Sequence, residues 1–371
     1  MTAHAIDTLV IGAGVTGLST AMHLAQAGRS VAIAERHARA GLDTSTHNSG
    51  VIHAGLYYPS DSLKARLCVE GARQLYEFAA AQGVPHDRCG KFVVAVEDRE
   101  LSDLEALCRR GQANGVDGLE VVDRAFVRAR EPHVDVRAAL WSPASGRIDA
   151  EALVRTLLRI AQSHGAMFLP GSAAIDAAPR RDGGFDVRFE RETVEARTVV
   201  NAAGLYADEV SHSFGGEQFT IYPCRGEYAE LRPSRRDWVN GLVYPLPDHS
   251  GHGLGVHLTK TALGSVLLGP TIRFQPRKDD YEDDRLPLES FVAPARGLVP
   301  RISIDDITYG GSGIRAKLHP PSESFADFLI RADRRQRSLI HAAGIDSPGL
   351  TSCLAVGKLA ASLVEEALLA E

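Results

Sequence analysis

Gly12, Gly14 and Gly17, followed by Glu35 at the end of the next apolar run, have the types and spacing of residues that hold a dinucleotide. In such a motif the first glycine allows a tight turn, the second lets the backbone approach a pyrophosphate, and the third lets a helix pack close to a strand. The first amides of that helix and its positive dipole end then face the phosphates. Glu35 stands 23 residues past Gly12, where a carboxylate accepts hydrogen bonds from a ribose diol. A second set of residues suits small-molecule chemistry. Arg315 carries a planar fork that matches a carboxylate, and it follows Gly310-Gly311-Ser312-Gly313, which reads as a turn bringing backbone near a ligand. A surface ion pair would use the same guanidinium. His257 alternates with Val256 and Leu258, so if those two face a core it faces the other side of a sheet. There an imidazole serves as a near-neutral base or as a satisfied structural histidine. Lys317, two residues beyond Arg315, shares its face if the segment is a strand and offers a second cation; an exposed lysine is the commoner outcome.

The elements that must position these groups are legible from apolar spacing. Thr8 to Ile11 predicts a short buried strand, Leu18, Ala21, Met22 and Ala25 a helix after the glycines, and Ser30 to Ala34 the next strand. Further helices are expected around Leu63, Leu67, Gly71, Leu75 and Phe78, around Leu153, Leu157 and Ile160 with Asp149 as N-cap, and around Val356, Leu359, Leu363 and Ala367. Between Pro223 and Ser303 short apolar runs broken by Gly and Pro predict an antiparallel sheet.

With 371 residues, about two domains are expected. Hydrophobic residues at 44% and charged residues at 24% describe an ordinary globular chain. A net charge of −6 without a basic run excludes nucleic acid as an expected partner. The five scattered cysteines lack the spacing of a zinc site or a disulfide framework, so no metal is expected and a reducing cytoplasm fits. The first strand begins too early for a signal peptide, and no apolar run reaches the ~18 residues of a membrane span; peripheral contact with the inner membrane face stays open.

Asn48-Ser49-Gly50-Val51-Ile52-His53-Ala54-Gly55-Leu56-Tyr57-Tyr58-Pro59, Ser62 to Cys68, Arg225-Gly226-Glu227-Tyr228 and Gly253 to Thr259 together make the chain similar to the L-2-hydroxyglutarate dehydrogenase/oxidase family. With Val199 to Asp208 and Asp346 to Thr351, the likeness extends to the FAD-dependent D-amino-acid oxidase superfamily over nearly the whole length. The resemblance implies an α/β fold, α+β overall. A Rossmann-like FAD domain from 1–85, 145–220 and 304–371 is joined to a substrate domain of 86–144 and 221–303 built on a mostly antiparallel sheet. It implies FAD, covalent or not, with pyrophosphate at Gly12, Gly14, Val15, Thr16 and Gly17 and ribose at Glu35 and Arg36. Thr44, Ser45, Ala174, Ala203, Gly204 and Gly313 are expected to touch the cofactor, and Asn48, Ser49, Gly50, Val51, Ile314, Gly349, Leu350 and Thr351 to surround the flavin ring.

The implied reaction is oxidation of a small L-2-hydroxy acid, L-2-hydroxyglutarate first, to the 2-oxo acid. Such a reaction needs a cation for the carboxylate, a base for the hydroxyl proton and a hydride acceptor. Arg315 is expected as the carboxylate clamp, with Lys317 and Tyr244 as further substrate contacts and His257 as the base. His53 is the competing base and a flavin neighbour. An amine or amino-acid oxidase of the sarcosine, glycine or D-amino acid type is the alternative, since the same scaffold and arginine serve both chemistries. Oxygen, a quinone or an electron-transfer protein is expected to take the electrons.

Overall fold

The computed structural model describes residues 6–181, 183–247 and 255–370. Gly253 and Leu254, which open one of the family-like runs, lie outside the described residues. Strand Ile6–Ile11 enters the glycine turn, and helix Val15–Gln26 leaves it. Parallel strands Val31–Glu35 and Met167–Pro170 continue on one side. On the other side lie Thr193–Asn201 and Leu339–Ala343, also parallel, with Leu329–Ala332 as an antiparallel edge. A hairpin of Asp176–Pro179 and Phe185–Arg188 pairs with the first half of Thr193–Asn201.

Because successive strand residues point to opposite faces, Leu9 and Val10 serve two different cores. Val10 and Ile33 pack with Leu18, Leu157, Leu75 and Val364 from four helices. Leu9 and Ala32 pack with Phe185 and Phe214 on the other side. Two of the four helices, Leu63–Gln82 and Ala150–Ser163, start at side-chain caps: Ser62 Oγ accepts from Ala65 N, and Asp149 accepts from Ala152 N. Helix Gly349–Leu369 completes that face.

Gly17 is required by this packing. A Cβ there would stand 2.0 Å from the Gly12 carbonyl oxygen, and the obstacle is backbone that cannot swing away. Gly17→Ala is therefore expected to push helix and strand apart, costing about 1–3 kcal/mol, and to leave purified protein with little bound flavin. Flavin absorbance per mole of protein checks it.

Among the described residues the second sheet has nine strands. Its path runs from Tyr222–Leu231 through Val266–Gly269, His257–Lys260 and Leu242–Pro245 to Lys91–Ala95 and Ala138–Ser142. Pairing is antiparallel except between Leu242–Pro245 and Lys91–Ala95, which run parallel. Ile307–Lys317 pairs along the whole of Tyr222–Leu231. The second sheet thus extends to Lys317, past the boundary expected at 303. The expected turn at Gly310 to Gly313 is instead the middle of that strand, opposite a register irregularity between Glu227 and Ala229. Its glycine serves close approach, because a Cβ on Gly313 would lie 2.0 Å from the His47 carbonyl oxygen.

Candidate active site

One continuous cavity of about 990 Å³ runs from the glycine turn to the second sheet, at the upper end of the ~300–1,000 Å³ typical of ligand sites. At its first end it is lined by Gly12, Gly14, Val15, Thr16, Glu35 and Arg36. Gly12 has φ +103°, and a Cβ on it would meet the Ala202 carbonyl oxygen at 2.5 Å; a Cβ on Gly14 would meet Ser45 Oγ at 2.8 Å. Side chains here would fill the space that the glycines leave for phosphate. Glu35 is buried, with Oε2 accepting from Ala13 N and Oε1 from His37 N, both at 2.9 Å, so its carboxylate is fixed at the cavity wall. The Arg36 guanidinium lies 3.8 Å above the Tyr206 ring and donates to Asp43 at 2.9 Å.

Thr44, Ser45, Asn48, Ser49, Val51, Ala174, Ala203, Gly204, Gly313, Ile314, Gly349 and Leu350 line the same cavity. Three expected contacts stand behind the wall. Gly17 packs on Gly12, and Gly50 has φ +67° with Ile148 O where a Cβ would go. Thr351 is fully buried, its Oγ1 accepting from His53 N at 2.9 Å and donating to Val51 O at 3.3 Å. Thr351 therefore orients the segment that carries His53.

At the other end His257, His53, Tyr244, Arg315 and Lys317 all line the cavity. Leu258 lies in the core of the second sheet and Val256 packs against it, which turns His257 to the cavity face. Its ring stacks on Tyr244 at 3.8 Å between centroids and 14° between planes. Arg315 is held by strand pairing with Cys224. Its guanidinium donates only to Thr271 O, at 3.4 Å, and has no carboxylate partner among the described residues. Arg315 is half-buried on the cavity wall, and a guanidinium placed there with no carboxylate at hand suits an incoming anion.

Lys317 is differently placed. Its Nζ lies 3.3 Å from Asp346, which also binds Lys64 at 2.6 Å. Burial raises the Asp346 carboxyl, but Lys64 and Lys317 outweigh it and hold the group below its usual range. Two lysines to one aspartate leave a net positive charge on the wall, beside His319 and Phe325.

His53 is half-buried, and its buried Nδ1 has no hydrogen-bond partner among the described residues. Burial, helped by the Lys91 ammonium, pushes it down to about 3, so the ring is neutral. Sequence reasoning missed Tyr57, Tyr58, Tyr228, Lys64 and Asp346 as cavity residues. All but Asp346 lie inside the quoted runs Asn48 to Pro59, Ser62 to Cys68 and Arg225 to Tyr228, and Asp346 opens the run that ends at Thr351. Lys91, behind the wall, was also missed. A lone lysine opening the apolar run Phe92 to Ala95 was the available signal.

The residues fit FAD: the glycine cradle, the fixed Glu35 carboxylate and a cavity long enough to reach the second sheet accommodate a dinucleotide with room for a small acid. No helix among the described residues is long and apolar enough to cross a membrane. The family model for FAD dependent oxidoreductases matches residues 7–363. The mitochondrial L-2-hydroxyglutarate dehydrogenase of Arabidopsis thaliana is 33% identical, over 95% of this chain and 82% of its own length. The L-2-hydroxyglutarate dehydrogenase of Escherichia coli K12 is 30% identical over 98% and 94%. Among solved structures, the FAD-bound, dithionite-reduced L-alpha-glycerophosphate oxidase of Mycoplasma pneumoniae superimposes with a TM-score of 0.90 at 26% identity, covering 98% of this chain and 95% of that one. Glycine oxidase from Geobacillus kaustophilus shares the fold, with a TM-score of 0.84 at 21% identity, covering 98% and 95%. The glycine cradle, the matched family and these relatives agree: the chain belongs to the FAD dependent oxidoreductases, among the L-2-hydroxyglutarate dehydrogenases, and its cofactor is FAD.

Proposed function

We propose that this oxidoreductase converts a small L-2-hydroxy dicarboxylic acid, L-2-hydroxyglutarate first, to the 2-oxo acid. The observation that carries the reading is Arg315, a cavity guanidinium without a carboxylate partner among the described residues. It takes the carboxylate beside the reacting carbon. The net positive Lys64, Asp346 and Lys317 cluster takes the distal carboxylate, which extends to Lys64 the second-cation role expected of Lys317. Bound FAD supplies the two-electron acceptor for the alpha hydrogen.

The hydroxyl proton goes to His53. Its ring is neutral and carries no stacked tyrosine, whereas the His257 ring is committed to stacking on Tyr244. Substrate bearing carboxylates raises the proton affinity of a nearby imidazole, so His53 becomes a better base when substrate is present. We assign cofactor holding to the part built on the parallel sheet and substrate holding to the nine-stranded sheet, extended to Lys317. The electrons leave to oxygen, a membrane quinone or an electron-transfer protein. A cytoplasmic protein that touches the inner membrane face would suit the quinone.

Anaerobic bleaching of the flavin by a panel of hydroxy and amino acids tests the reading. Reduction by L-2-hydroxyglutarate with release of a 2-oxo acid and no ammonia is expected. Reduction only by amino acids, with ammonia released, would transfer the protein to the amine oxidases.

A further inference from the structure

Lys91 is 1% exposed, and its ammonium has no hydrogen-bond acceptor or carboxylate among the described residues. A buried cation without a partner is costly and uncommon. What surrounds it is specific. Nζ lies 4.7 Å from the Tyr57 ring centre and 4.8 Å from that of Tyr244, two rings that line the substrate end of the cavity. Tyr244 in turn stacks on His257. The titratable groups facing Lys91 are His53 and Tyr57 from the segment after strand Val51–Ile52, Cys68 from helix Leu63–Gln82, and Tyr244 from strand Leu242–Pro245. Both tyrosines and Cys68 are driven upward by burial, Cys68 to about 12, and stay neutral. Lys91 is therefore the charge in this group that can change near neutrality.

We infer that Lys91 is a positioning residue for the proton transfer: from behind the Tyr57 and Tyr244 rings, its charge opposes protonation of His53. The inference rests on the reading of His53 as base. Burial brings Lys91 down to about 7, so it passes from cation to neutral amine within the working range. While it is charged, proton transfer onto His53 places two cations near one another in a dry site, where their repulsion is weakly screened. Once Lys91 is neutral, that repulsion is gone. Turnover should then rise with pH along a limb that belongs to Lys91, and substituting Lys91 separates that limb from the titration of His53.

The test is the limiting rate of flavin reduction at saturating substrate, measured from pH 5.5 to 8.5 in the holoenzyme. Wild type is expected to show a limb near pH 7. Lys91→Met should abolish the limb and hold the rate at its upper value, about tenfold above wild type at pH 6. Lys91→Arg, which cannot lose its charge, should abolish the limb and hold the rate at its lower value. An unchanged limb in Lys91→Met, or a Met variant slower than wild type at every pH, overturns the inference. A second readout needs no substrate. In FAD-loaded protein, the His53 ring resonances should titrate at higher pH in Lys91→Met than in wild type, and an unchanged titration also overturns it. If no hydroxy acid bleaches the flavin but the His53 titration moves, the proposed substrate fails and the Lys91 assignment stands.

Discussion

Arg315→Lys is expected to lower kcat/KM for L-2-hydroxyglutarate by about 10–10²-fold, and Arg315→Ala by about 10²–10³-fold, since a hydrogen bond to a charged partner contributes roughly 1.5–3 kcal/mol and the fork makes two. The lysine variant keeps the charge and loses the geometry. Neither should change FAD content or folding, because among the described residues the Arg315 side chain makes one long bond, to Thr271 O, and its backbone pairing with Cys224 is untouched. Stopped-flow reduction at limiting and saturating substrate, with flavin content measured in parallel, separates the effects. Wild-type rates in both regimes would remove Arg315 from the substrate site. Loss of flavin from the alanine variant would make the residue a cofactor contact instead.

What the sequence made legible here depends on how local each signal is. The glycine turn, Glu35 and the cap at Asp149 are each decided within a few residues, and each stands where spacing puts it. His257 was legible for the same reason, since alternation with a core-facing Leu258 fixes its face. The Gly310 to Gly313 run misleads because a glycine required for a turn and one required for close approach look alike in sequence. The carbonyl of His47, far away in the chain, decides between them. Lys64, Lys317 and Asp346 form one cluster from three distant segments, and only the packing of helix, strand and C-terminal turn brings them together. The ranking of the two histidines was out of reach too. The stack of Tyr244 on His257 separates them, and that contact is a property of the assembled fold.

That ranking leads to the other large effect. His53→Gln should lower the limiting rate of flavin reduction by about 10²–10⁴-fold, the usual contribution of a positioned general base. Glutamine keeps hydrogen-bonding capacity and volume but cannot take up a proton at these pH values. The FAD should stay bound, because His53 N still donates to Thr351 Oγ1 through the backbone, although a neighbouring flavin would shift its absorbance. His257→Gln removes a ring stacked on Tyr244, so substrate positioning should weaken and KM should rise more than the limiting rate falls. The pH dependence provides the second discriminator. With its ring held near 3 by burial and by Lys91, His53 is neutral throughout the working range, so a limb near pH 7 should survive in His257→Gln. If His257→Gln instead abolishes that limb and carries the larger loss in limiting rate, the proton goes to His257, and His53 is left as a neighbour of the flavin.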